Sequence, residues 1–184
     1  AGMMDCKKAM DEAEGDLEKA GEILRKKGII KAAKRTDKIA AEGTTQVKTE
    51  GNTAVVLEVN SETDFVAQNE DFKKLVVDFT EAILKNKPAT VEEVLTLKVD
   101  SSSLQDRLDT ITSKIGEKIA LRRFVVVEKD SADAFGAYSH LGGKISVLIL
   151  LKNSTDEDLA RDIAMHATAS NPKYISRNEV PVEI

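Results

Sequence analysis

At 184 residues, 41% of them apolar and 32% charged, the chain is long enough to bury roughly 70% of the surface it would expose unfolded, in one large or two small domains. The apolar share excludes a disordered polymer. The 32 acidic against 27 basic residues, a net charge of -5, argue against a dedicated nucleic-acid binder, whose domain would carry a basic surplus.

The opening stretch reads as helices. Met3 to Met10 contain no breaker, Gly15 interrupts, and Asp16 stands where it can cap a segment with Leu17, Ala20, Ile23 and Leu24 at helical spacing. Gly28 is expected to end that segment, because Arg25, Lys26 and Lys27 load its last turn with cations that suit the negative end of a helix dipole. A third helical stretch, Ile29 to Ala41, is then expected. After Gly43 the pattern turns to strands: Thr44 to Thr49, a turn at Glu50, Gly51 and Asn52, and the β-branched run Thr53 to Val59 make a hairpin.

Helical spacing returns from about Asn69 to Asn86, where Phe72, Leu75, Val76, Phe79, Ile83 and Leu84 form one apolar stripe. Thr90 with Glu93 matches a capping box for a short helix, and Leu104, Leu108, Ile111 and Ile115 mark another that ends near Gly116. A strand follows at Ile119 to Glu128. Ala134 to His140 and Lys144 to Leu151 then make a hairpin around Gly142 and Gly143. A last helix, capped at Thr155 or Asp156, closes before Pro172. Hairpins beside helices indicate an α+β fold rather than a doubly wound sheet.

Few residues offer covalent or metal chemistry. The single cysteine, Cys6, excludes an internal disulfide and a cysteine-built zinc site, and points to a reducing compartment. With His140 or His166 it is the only candidate nucleophile and base, and it reads better as a small packing residue. His166, inside an alanine-rich helix, reads as a hydrogen-bonded packing residue. No glycine-rich phosphate loop and no calcium-loop spacing occur, so neither a nucleotide, a cofactor nor a metal is expected to bind this chain. The longest apolar run, Ile145 to Leu151 interrupted by Ser146, is about a third of a bilayer span, and no signal segment opens the chain. Since position 1 is Ala rather than Met, a longer parent protein is expected.

Two features leave alternatives open. Lys27, Lys31, Lys34 and Lys38 share one helix face, either as a solvated surface or as an electrostatic docking stripe for an acidic protein or RNA phosphate. Phe65, Phe72 and Phe79 recur every seven residues, which makes Phe65 the first rung of the buried stripe on pattern alone; the other reading is an exposed wedge on a turn.

Several runs, in order along almost the whole chain, resemble the elongation factor Ts family. They are AGMMDCKKAM (1–10), KAAKR (31–35), LEVNSETDFVAQN (57–69), KIGEKIALRR (114–123), YSHLGGKISVLILL (138–151) and IAMHATASNPKYI (163–175). The resemblance implies a ubiquitin-associated-like helical module at 1–28, a basic helical linker at 29–43, and a core of small antiparallel sheets packed with helices at 44–130 and 131–184. It implies a protein without enzymatic chemistry that binds elongation factor Tu, GDP-bound or nucleotide-free, and promotes GDP release. Asp64 and Phe65 of the TDFV motif, flanked by Thr63 and Val66, would enter between helices of that GTPase and disturb its magnesium and phosphate sites. Met3, Met4, Lys7, Ile115, Gly116 and His140 match further family contacts.

The implied setting is a bacterial-type cytoplasm, or the matrix or stroma of an organelle. Relative to the family pattern, Ser61 stands where many members carry Cys and Ser146 where Gly is frequent. Members also have a helix before Ala1 and further core and coiled-coil segments after Ile184, so truncation at both ends is expected. The competing reading is a non-catalytic scaffold of the translation machinery that binds protein or RNA.

Overall fold

A computed structural model describes residues 2–33, 39–174 and 176–181. Its helices and strands run α1 (Met3–Glu12), α2 (Leu17–Ala33), β1 (Glu42–Glu50), β2 (Thr53–Ser61), α3 (Asp64–Ala67), α4 (Glu70–Asn86), α5 (Val91–Thr96), β3 (Lys98–Val99), β4 (Ser102–Ser103), α6 (Leu104–Ile115), β5 (Ile119–Glu128), β6 (Ala134–His140), β7 (Ile145–Leu151) and α7 (Glu157–Ser170), then a 3-10 turn at Arg177–Glu179. The sheets have the orders β1–β2–β5, β3–β4 and β6–β7, the last two antiparallel. The fold is α+β. The chain divides into two units, Ala1–Thr44 with Leu57–Val126, and Thr45–Val56 with Val127–Ile184.

In the first unit, Asp16 Oδ1 accepts the backbone N–H groups of Glu18 and Lys19 at 3.0 and 3.1 Å and so starts α2, as its side chain suggests. Ala9, Ala13 and Ala20 form a small buried cluster between α1 and α2, with Met10, Ile23 and Leu24 against it. Lys27 Nζ reaches Glu12 at 2.5 Å across the same pair of helices.

The expected helix end at Gly28 is absent: α2 continues through it to Ala33. The reason is packing. Gly28 is buried where α2 crosses α6, and a Cβ there would overlap the Ser113 hydroxyl, so the missing side chain permits helix contact rather than a left-handed cap. Of the expected helix Ile29 to Ala41, residues 29–33 belong to α2 and 39–41 are irregular. Within the basic stripe, Lys34 and Lys38 lie outside the described residues, and Lys31 is described by its backbone alone.

The stripe on α4 is buried throughout, Phe72, Leu75, Phe79 and Ile83 completely, and each such side chain contributes about 1.5–3 kcal/mol relative to exposure. Asn69 starts that helix by accepting the N–H groups of Asp71 and Phe72, and Lys87 ends it in a left-handed conformation before Pro88. Arg107 ties α6 to α4 through Asp78 at 2.6 Å.

In the second unit α7 packs on β6 and β7, with Ala160 and Ala164 buried beneath it. Asp133, 4% exposed, accepts Lys152 Nζ at 2.7 Å and the backbone N–H groups of Asn153 at 2.9 Å and Asp130 at 3.2 Å, and so joins the turn before β6 to the turn after β7. The Lys152 bond, then the two backbone donors, hold the Asp133 carboxyl below its ordinary 3.8 despite burial; the same bond holds Lys152 above its ordinary 10.5. A depressed carboxylate stabilises fully above its unfolded value and loses that contribution as pH falls through the folded one. The raised ammonium does the reverse, keeping its contribution below 10.5 and losing it as pH rises beyond. The pair is therefore expected to stabilise the second unit most between these limits. Protection of the β6 and β7 amides, taken relative to their intrinsic exchange rates, should fall less steeply on acidification in Asp133→Asn than in the parent. Identical acid profiles would remove Asp133 from that role.

Candidate functional site

The NSETDFV segment and the GEK segment that follows α6 are laced together in the first unit. Glu58 accepts Arg122 at 2.8 Å and Arg123 at 2.7 Å; burial pushes its carboxyl up, but the two guanidinium bonds prevail and leave it below its ordinary value. Further along, Glu62 accepts the Lys118 N–H at 2.7 Å, and Glu117 accepts Thr63 twice, from its N–H at 2.9 Å and its hydroxyl at 2.8 Å. Numbers rise on one segment as they fall on the other, which is antiparallel pairing continued past the strand ends. Gly116 permits this approach: at φ 83° it closes α6 in the left-handed region, its N–H bonded to Thr112 at 2.8 Å, and delivers Glu117 one residue later.

On the far side of Thr63 the chain makes the one-turn helix α3. Val66 and Ala67 are buried, whereas Asp64 is exposed and Phe65 is 83% exposed. Phe72 and Phe79, its partners at seven-residue spacing, are 0% exposed. Sequence pattern fails here for a definite reason. The chain leaves α3 at Gln68 and is extended at Asn69, φ -71° and ψ 133°, before α4 begins, so the helical phase is reset and Phe65 falls off the stripe.

Of the other residues singled out by sequence, Ile115 and Gly116 are half-buried and directly precede Glu117, which brings them to the base of the Thr63 turn. Met3, 88% exposed, and Met4, 63% exposed, stand with the exposed Lys7 on α1. His140 belongs to the second unit, half-buried at the end of β6, where its Nδ1 lies 3.0 Å from the Tyr138 hydroxyl. The turn after it is held by Thr45, whose hydroxyl is 2.8 Å from the Gly143 carbonyl and 2.9 Å from Ser146 Oγ. One hydroxyl has one proton, so Thr45 donates to the carbonyl and accepts from Ser146. Gly51, Gly142 and Gly143 lie in hairpin turns as expected. His166 is exposed, 3.3 Å from Ser170 Oγ, and is therefore not a packing residue: alanines 160 and 164, not position 166, occupy the buried face of α7.

Glu117 was not singled out by sequence. A Glu beside Lys118 reads as ordinary surface charge, and nothing local signals a partner fifty-four residues away.

The family model described as elongation factor TS matches residues 62–184, which include the TDF turn, its Glu117 brace and the His140 hairpin. The chain belongs to the elongation factor Ts family. Membership makes it a translation elongation factor of the Ts type, a family of nucleotide exchange factors whose general partner is elongation factor Tu. Among the described residues, no helix is long and apolar enough to cross a membrane.

Proposed function

We propose that this chain binds elongation factor Tu, in its GDP-bound and nucleotide-free states, and accelerates GDP release by inserting Phe65 between helices of the GTPase, with Asp64 beside it. The observation that carries this reading is the exposure of Phe65 on a braced turn, 83%, while Phe72 and Phe79 are completely buried. An apolar ring left in water at the end of a short helix gains about 2 kcal/mol or more when a partner pocket closes on it. Val66 anchors the turn from beneath. Met3, Met4, Lys7, Ile115, Gly116 and His140 supply further contacts, on a plan of a ubiquitin-associated-like helical module, a basic linker and two core subdomains.

Exchange of this kind needs no bond made or broken. If the factor weakens GDP binding to the GTPase, GDP weakens factor binding equally, so the interface energy must go into distortion of the magnesium and phosphate site. GTP then refills the emptied site. The setting is the cytoplasm, or the matrix or stroma of an organelle.

The test mixes substoichiometric factor with elongation factor Tu preloaded with fluorescent GDP and an excess of unlabelled nucleotide. Release should accelerate in proportion to factor concentration, with each factor molecule turning over many GTPases. Binding without faster release would replace this reading with the scaffold alternative.

A further inference from the structure

The residue immediately before Asp64 and Phe65 is bonded at every polar group it has. Thr63 donates its N–H to Glu117 Oε2 at 2.9 Å and its hydroxyl to Glu117 Oε1 at 2.8 Å, and its carbonyl accepts the buried Ser61 hydroxyl at 2.8 Å. The hydroxyl bond is the informative one. Thr63 is the N-cap of α3, where a threonine side chain ordinarily turns in to a backbone N–H of the first turn; here it makes no such bond and reaches Glu117 instead.

Two bonds from one residue to one carboxylate fix direction as well as distance, whereas a single bond leaves a pivot. The carboxylate is fixed in turn, because Gly116 sets where α6 stops and the Lys118 N–H is held by Glu62. Ser61, itself completely buried, completes the brace by holding the Thr63 carbonyl through its hydroxyl.

We infer that Glu117 is a positioning residue, clamping Thr63 so that α3 presents the Phe65 ring in one pose before the partner arrives. A turn ordered in advance loses less conformational entropy on association, so more of the interface energy is left to distort the partner. The inference rests on Phe65 being the group that enters the GTPase, but the clamp is testable without any partner.

The chain contains no tryptophan, so Phe65→Trp places a single indole at the wedge. In that background, Glu117→Ala is expected to lower the residual fluorescence anisotropy of the indole by about half, reflecting nanosecond freedom at the turn. Glu117→Gln should preserve it, because the amide oxygen accepts the Thr63 N–H while the amide nitrogen donates to the Thr63 hydroxyl oxygen. Should Glu117→Ala fail to fold, Thr63→Val cuts only the hydroxyl arm, and unchanged anisotropy there overturns the clamp.

With Phe65 restored, Glu117→Ala should slow GDP release from the saturated complex about tenfold, as misplacement of a pose-dependent group does, and Glu117→Gln should stay within about twofold. Equal slowing by Ala and Gln would mean that the charge, not the paired bonds, is what matters, and would also overturn it. An anisotropy response as expected, combined with a Phe65→Ala protein that releases GDP at the parental rate, would retain the clamp and discard the wedge.

Discussion

Phe65→Ala is expected to leave the melting transition of the protein within about 0.5 kcal/mol of the parent, as for other exposed substitutions, while slowing stimulated GDP release about 30-fold. The two halves of that result have separate causes. Stability is spared because the ring, 83% exposed, makes few contacts that truncation could remove. In the proposed function activity is lost because an aromatic anchor filling a partner pocket carries about 2 kcal/mol or more of interface energy, which would be realised in the distorted, nucleotide-releasing state. Phe79→Ala is the control. The same truncation at a completely buried position should cost about 3–5 kcal/mol of stability and leave release per folded molecule unchanged. A Phe65→Ala protein that melts early yet retains its release rate per folded molecule would make Phe65 a structural residue and end the wedge reading.

Gly136→Ala is expected to weaken the second unit by about 3 kcal/mol, at the upper end of the range for overpacking, although it adds one methyl group. A Cβ on Gly136 would overlap the carbonyl carbon and oxygen of Ala160 and the N–H of Arg161. Those are helix backbone atoms, so they can yield only if α7 as a whole lifts from β6. Urea unfolding followed by amide exchange in β6, β7 and α7 would measure the loss, and parental midpoints there would show that the helix has room to move. His140 ends the same strand, so a lifted helix should also loosen the hairpin that carries it.

Much of this fold is legible locally because its signals act over a few residues. Asp16, Asn69, Thr90 and Asp156 each cap the helix that follows through bonds to N–H groups two or three positions on. The α4 stripe follows from spacing, and the hairpin turns from their glycines. Family membership is likewise carried by runs of residues in order. What spacing does not determine is phase across a break: Phe65 continues a seven-residue pattern, yet the cap at Asn69 resets the helix and turns the ring out to water.

Nor does spacing reveal why a small residue is small. Gly28 reads as a helix stop from its cationic neighbours, but inside α2 it is where another helix comes close. Glu117 is the extreme case, an unremarkable surface acid until folding brings it to Thr63 from fifty-four residues away. Caps, turns and stripes are decided by bonds between chain neighbours, and so the sequence by itself determined the elements. Which aromatic faces water, which glycine admits a helix and which carboxylate holds the TDF turn depend on contacts between distant segments, and those only the tertiary structure decided.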